Sequence, residues 1–157
     1  MTDQVGVIGA GAWGTTLAVL LADAQRPVSL WTHSPEKAER LAHARTNDRY
    51  LPGVVFRPNV RVVTDDACLA EPHRFYVLAT PSAHLRSTLR RVARALHSDA
   101  ALLSVVKGIE EGTHLRMSEV ADQELPGRRI AALSGPNLAR EIAGGKPAGS
   151  VIASDDY

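Results

Sequence analysis

Cysteine is nearly missing from this chain. Cys68 stands alone among 157 residues, which excludes an intramolecular disulfide framework and any zinc site that needs two or more thiolates. A reducing cytosol suits such a chain, and Cys68 reads as a small apolar residue. An excess of one charge is missing too: 18 Lys+Arg face 17 Asp+Glu for a formal net charge of +1, so no global field favours nucleic acid or an anionic membrane as the main partner. Long apolar runs are absent. The longest, Ala100 to Val106, is broken by Ser104 and falls far short of the ~20 residues that cross a bilayer. Met1-Thr2-Asp3-Gln4 runs straight into Val5 to Ile8 without the basic and long apolar segments of a secretory signal. No repeat, heptad pattern or low-complexity tract is visible. The six histidines form no H-x-x-x-H pair and have no acid at ligand spacing, so no metal site is expected. G-x-S-x-G and G-x-x-x-x-G-K-[ST] are also missing, which argues against an acyl-transfer nucleophile of that type and a nucleoside triphosphate loop.

What is present is an alternation. Short aliphatic runs, Val5 to Ile8, Val28 to Trp31, Val60 to Val63, Phe75 to Ala79, Leu102 to Val106, Ile130 to Leu133 and Ser150 to Ala153, are separated by segments with helical spacing. This is the pattern of βαβ units, an α/β fold with a mostly parallel sheet whose strands are buried on both faces. Trp13 to Ala24 carries Leu17, Leu20, Leu21 and Ala24 on one stripe, and Ser34-Pro35-Glu36 starts a helix with a cap, a proline at N1 and an early acid. In Leu85 to Leu96 the apolar face is Leu85, Leu89, Val92 and Leu96, while Arg86, Arg90 and Arg94 lie on another. Without interleaved aromatics that arginine row reads as a solvated or domain-facing surface rather than a nucleic-acid stripe. Residues 1–157 are long enough for one domain that buries about 70% of its unfolded surface. The last expected strand runs directly into Ser154-Asp155-Asp156-Tyr157, so the domain reads as cut short at its C-terminal end, with a further domain expected to follow.

The strongest chemical signal is Gly9-Ala10-Gly11-Ala12-Trp13-Gly14, a G-x-G-x-x-G that follows one expected strand and opens a helix. Gly9 allows the tight turn, Gly11 lets the backbone approach a pyrophosphate, and Gly14 lets the helix pack closely on the strand. The free N–H groups and positive end of that helix supply the anion site. Together these point to a Rossmann-type doubly wound sheet with helices on both faces. At the end of the second strand stand Trp31-Thr32-His33-Ser34, with no acid to grip an NAD ribose. His33 there is either a donor to a 2′-phosphate or an exposed loop histidine, and the site is expected to accept or prefer NADP over NAD. Ala79-Thr80-Pro81-Ser82 follows another strand, where Pro81 and Ser82 could bound the nicotinamide half, or Ser82 could simply cap a helix beginning near His84. Of three lysines, Lys37 reads as a surface-helix residue, whereas Lys107, beside Gly108 at a strand end, could reach a ligand carbonyl or phosphate. Ser134-Gly135-Pro136-Asn137 repeats strand, turn and helix, with Asn137 as the expected N-cap.

Read in order, Val7 to Thr15, Leu30 to Glu36, Asn47-Asp48-Arg49-Tyr50-Leu51-Pro52-Gly53, Val106 to Glu110 and Leu133 to Glu141 resemble the N-terminal cofactor domain of bacterial NAD(P)-dependent glycerol-3-phosphate dehydrogenase, over essentially the whole chain. The resemblance implies hydride transfer between NAD(P)H and dihydroxyacetone phosphate, giving sn-glycerol 3-phosphate for phospholipid synthesis in the cytoplasm. It implies that Ala12, Trp13, His33, Tyr50 and Ala139 contact the dinucleotide, that Lys107 touches cofactor and substrate and polarises the substrate carbonyl, and that Gly135 and Asn137 touch substrate. Ala12 departs from the Ser or Asn usual in that family, which removes a side-chain hydrogen bond. The family's proton-donating lysine lies in a C-terminal helical domain outside these residues, so the resemblance implies negligible turnover by this chain alone, and a homodimer would form through that domain. Two other readings remain: a stand-alone NAD(P)-binding or sensing module, and the cofactor half of another two-domain dehydrogenase acting on a small keto or hydroxy acid.

Overall fold

In a computed structural model, which describes residues 4–70 and 73–155, the aliphatic runs become β1 (Gln4–Ile8), β2 (Val28–Trp31), β5 (Val60–Val63), β6 (His73–Leu78), β7 (Ala101–Ser104), β8 (Ile130–Ser134) and β9 (Val151–Ser154). They form one sheet in the order β5-β2-β1-β6-β7-β8-β9. Every pairing is parallel except β8 with β9. The chain builds outward from β1 through β2 to β5, then returns to β1's other side as β6. That reversal opens a crevice at the carboxyl ends of β1 and β6, where doubly wound sheets bind ligands. The readings made on residues 1–3 and on Asp156 and Tyr157 lie outside the described residues.

Alternate side chains of the central strands enter opposite cores, as a period of two requires. Ile8, Tyr76 and Leu78 join Leu85, Leu89 and Val92 of α3 (Ser82–Val92) together with Val120 and Ala121 of α4 (Met117–Glu124). Val5, Val7, Leu30 and Val77 pack instead with Ala18, Val19 and Ala22 of α1 (Ala12–Asp23) and Leu41 of α2 (Pro35–Ala44).

Several expectations are corrected. The buried face of α1 is Gly14, Thr15, Thr16, Ala18, Val19 and Ala22, not the leucine stripe. Small residues at 14, 18 and 22 let the helix lie close on the sheet, which leaves Leu17 and Leu21 partly buried, Leu20 exposed, and Ala24 exposed as the C-cap beyond the helix. Strand β9 is exposed at all four positions, because it packs mainly on its neighbour β8 and has no substantial helix contact among the described residues, and β8 is only half-buried. Strands β6 and β7 stop at Leu78 and Ser104, before the apolar Ala79 and Val105-Val106, where the chain leaves the ladder. A hairpin of β3 (Thr46–Asn47) and β4 (Leu51–Val55) was not among the expected strands, Pro52 and Gly53 being residues that weaken a strand pattern. It serves the glycine turn directly. The buried Asn47 amide donates to Ala10 O at 3.1 Å and to Thr15 Oγ1 at 2.7 Å.

The arginine row is solvated at Arg90 and Arg94, as expected, but not at the half-buried Arg86. Arg86 grips both Glu110 carboxylate oxygens at 2.7 Å and also reaches Glu124 at 2.5 Å, while Arg90 reaches Glu124 at 3.0 Å. Arg86 and Arg90 therefore staple α3 to α4 and to the segment before it that carries Glu110. The Arg86 guanidinium, helped by Thr113, pulls the Glu110 carboxyl down to about 2. A lowered carboxylate pKa stabilises the fold above the ordinary glutamate range, and that contribution disappears as pH falls through the folded value. Melting temperature is thus expected to decline from about pH 5 to pH 2, and Glu110→Gln, which loses the charge at every pH, should flatten that decline. Thermal unfolding of both proteins across this range is the check, and identical pH profiles would rule the staple out as a contributor.

Candidate dinucleotide cleft

The turn after β1 is shaped by contacts that only glycine permits. Gly9 has φ +119°, and a Cβ on it would sit 2.6 Å from Ala79 O. A Cβ on Gly14 would run into the Gly9 carbonyl oxygen. Gly11 differs: nothing lies within 4 Å of its would-be Cβ, so its lack of a side chain leaves open room above the N-terminus of α1. No side chain caps that terminus, and no acid occupies the first turn. The first bonded amide is Thr15 N, donating to Gly11 O at 3.0 Å, so the amides before it are free for an anion.

Two cavities flank this turn. One, of about 510 Å³, is lined by Gly9, Gly11, Thr32, His33, Lys37 and Tyr50 among others, and the other, of about 330 Å³, by Gly11, Ala12, Trp13, Ser82, Lys107 and Asn137 among others. They share Gly11, Ala79, Thr80 and Pro81, so one cleft crosses the carboxyl ends of β2, β1, β6 and β7. An elongated ligand with a pyrophosphate at its middle fits: the open cradle at Gly11 lies between the two ends. The buried Thr80 Oγ1 beside it has no hydrogen-bond partner among the described residues, as expected of a group that a ligand completes.

At the β7 end, Lys107 Nζ donates to Gly135 O at 2.8 Å. Gly135 itself, at φ +150°, could not carry a Cβ, which would meet Gly149 O at 2.5 Å. Asn137 is buried, its Oδ1 accepts from Ser150 Oγ at 3.0 Å, and its Nδ2 donor has no partner among the described residues. Asn137 is therefore not a helix cap; Leu138 holds the N-cap position of α5 (Ala139–Ala143) without a side-chain bond. Ser82 is not a cap either, since α3 starts at Ser82 itself with Pro81 before it. Ala139 lies apart from both linings, and its carbonyl accepts from Thr16 Oγ1 at 3.2 Å.

At the β2 end, His33 is exposed on the cavity wall. Ser34 caps α2, accepting from Lys37 N at 3.1 Å and donating to Glu36 Oε2 at 2.8 Å, so the sequence reading of that helix start is borne out. Lys37, read from sequence as a plain surface residue, instead faces the cavity with its ammonium 4.6 Å from the Tyr50 ring centre.

With this geometry in hand, comparison is decisive: residues 4–157 match the family model described as the N-terminus of NAD-dependent glycerol-3-phosphate dehydrogenase. The chain belongs to the glycerol-3-phosphate dehydrogenase family. It is 47% identical over 155 residues to a glycerol-3-phosphate dehydrogenase [NAD(P)+] of Corynebacterium glutamicum, and 48% identical over 161 residues to that of Nocardia farcinica, covering 98% of this chain and 47% of the relative in both cases. A crystal structure of the Coxiella burnetii glycerol-3-phosphate dehydrogenase superposes with a TM-score of 0.92 at 27% identity, over 99% of this chain and 47% of that one. This chain thus spans about half the length of the dehydrogenases it matches. The cofactor of the family is NAD or NADP, in keeping with the sequence reading. Thr80 and Lys37 are the cleft residues that sequence reasoning passed over, together with Asn47, which braces the glycine turn. For Lys37 a signal existed, in its place within the first turn of the helix that follows β2.

Proposed function

We propose that residues 1–157 form one cofactor-binding domain of a cytoplasmic glycerol-3-phosphate dehydrogenase, which interconverts dihydroxyacetone phosphate and sn-glycerol 3-phosphate and so feeds phospholipid synthesis. The observation that carries this reading is the meeting of the open Gly11 cradle with Lys107 and the unpaired Asn137 amide in one cavity. The names of the relatives support the substrate. No helix among the described residues is long and apolar enough to cross a membrane. A homodimer formed through the remainder of the protein is part of the proposal.

The bound nicotinamide would supply or accept the hydride. The chain's own residues bind and orient. Gly9 makes the turn, Gly11, Ala12 and Trp13 present the free amides at the N-terminus of α1 to the pyrophosphate, Gly14 keeps that helix against the strand, His33 and Tyr50 bound the adenosine end, and Pro81 bounds the nicotinamide end. Ala139 acts at most indirectly, through Thr16. Lys107 stabilises negative charge growing on the substrate carbonyl oxygen, and the Gly135 carbonyl, which holds its ammonium, tethers it beside the Asn137 donor. Lys107 is the one ionisable side chain among the described residues lining that cavity, so no second group there protonates the alkoxide.

Quenching of the tryptophan fluorescence, from Trp13 and Trp31 on the cleft walls, by NADPH and NADH, with and without dihydroxyacetone phosphate, tests this reading. Both nucleotides should bind saturably, and the ketone phosphate should tighten them while a 2-keto acid should not. Turnover by this chain should fall at least about 100-fold below that of a full-length relative, the lower end of what general acid catalysis supplies. Absence of nucleotide binding by the folded chain, or tightening by keto acids instead, would sink the proposal.

A further inference from the structure

The cation cluster at the β2 end of the cleft is left unused by the reading above, although it rests on that reading of the cleft. We propose that Lys37, seated against Tyr50, is the residue that recognises the 2′-phosphate of NADP and makes this protein prefer NADP to NAD.

In a doubly wound sheet the adenosine ribose lies at the carboxyl end of the second strand, where NAD enzymes place an acid. Here that stretch, Trp31-Thr32-His33-Ser34, has none. The nearby carboxylates are committed elsewhere. Glu36 accepts from Ser34 Oγ at 2.8 Å, and Asp48 accepts from Thr46 Oγ1 at 2.9 Å and Gly53 N at 3.3 Å. The described residues lining the cavity include no Asp or Glu at all.

Against this, positive charge gathers. Lys37 Nζ stands 4.6 Å and Arg49 Cζ 5.5 Å from the centre of the Tyr50 ring. Burial, followed by the repulsion of Arg40 and Arg49, pushes the Lys37 ammonium below the usual lysine range. The other two lysines each have an oxygen partner: Lys107 has Gly135 O at 2.8 Å, and Lys146 has Glu141 at 3.2 Å. Lys37 has neither a carboxylate nor a carbonyl among the described residues and is held only by an aromatic face. A half-buried ammonium that exposed guanidinium groups repel and that has no counter-ion among the described residues is unfavourable until an anion joins it. The place of this cluster on the ribose side of the cleft identifies that anion as a phosphate on the 2′-oxygen. Tyr50 restricts the lysine in advance, which reduces the ordering lost on binding. His33, exposed on the wall, has no such anchor.

The test is a titration of the whole chain and of Lys37→Met and Lys37→Arg with NADPH and NADH, with 2′,5′-ADP and 5′-ADP as competitors. Methionine keeps the apolar stem against Tyr50 and removes only the charge. One charge-assisted bond to a phosphate corresponds to about a tenfold or greater change in affinity. The unaltered chain should therefore favour NADPH over NADH about tenfold or more, and 2′,5′-ADP over 5′-ADP likewise. In Lys37→Met the selectivity ratio should collapse by about that factor, with the loss falling on the 2′-phosphorylated ligands, and Lys37→Arg should restore most of it. A selectivity ratio that survives in Lys37→Met, or equal loss for both nucleotides, would overturn the inference while leaving the cleft intact. Failure of every nucleotide to bind the folded, unaltered chain would overturn the cleft reading and this one together.

Discussion

Valine in place of Gly14 is expected to destabilise the folded chain by on the order of 3 kcal/mol, the upper part of the ordinary range for forcing extra atoms into a packed site. The obstacle is backbone rather than side chain. A Cβ on Gly14 meets the Gly9 carbonyl oxygen and comes within 3.2 Å of Ala79 Cβ. Gly9 cannot give way, because it sits at φ +119° with its own would-be Cβ 2.6 Å from Ala79 O, and its N–H donates to Trp31 O at 3.0 Å. To relieve the overlap, α1 must lift from the sheet, separating Ala18 and Ala22 from Val5, Val7 and Val28 in the core they share. Urea unfolding measures the effect: the midpoint should drop with little change in slope. An unchanged midpoint would mean that the helix can rise without loss, and that its small-residue face is not what fixes its height.

The glycine turn, the strands of the large sheet and the start of α2 were legible because each rests on a local rule with few exceptions. A residue at positive φ pressed against backbone must be glycine, and Ser34 followed by Pro35 is a helix start whatever surrounds it. The misread positions are those where a long-range contact took over a residue that also has a local use. Asn137 and Ser82 are good caps by type, yet Asn137 is buried against Ser150, thirteen residues on, and Ser82 lies within the helix, facing the cleft. Arg86 is an ordinary exposed helix residue until the segment between β7 and α4 brings Glu110, and α4 itself Glu124, within reach. Lys37 was hidden in the same way, since only the unforeseen β3–β4 hairpin carries Tyr50 over to it. Strand β9 failed for a different reason: a short apolar run reads alike at the centre of a sheet and at its edge.

Gly11→Val should leave folding nearly intact and remove nucleotide binding, the opposite outcome from Gly14→Val five or fewer ångströms of helix away by rise per residue. Gly11 is the N-cap of α1 at φ −80°, ψ −172°, extended backbone that any residue adopts, and no atom lies within 4 Å of a Cβ there. The stability cost is thus confined to a poorer cap, about 1 kcal/mol at most. The isopropyl group instead occupies the cradle between the two cavities and holds a pyrophosphate off the free amides of the first turn. Loss of two charge-assisted hydrogen bonds corresponds to a weakening of at least about 100-fold. Because the pyrophosphate is common to both cofactors, NADPH and NADH should weaken alike, unlike the selective loss in Lys37→Met. Retained binding of either nucleotide by a folded Gly11→Val chain would show that the phosphates lie elsewhere, and the assignment of the cleft would then have to be abandoned.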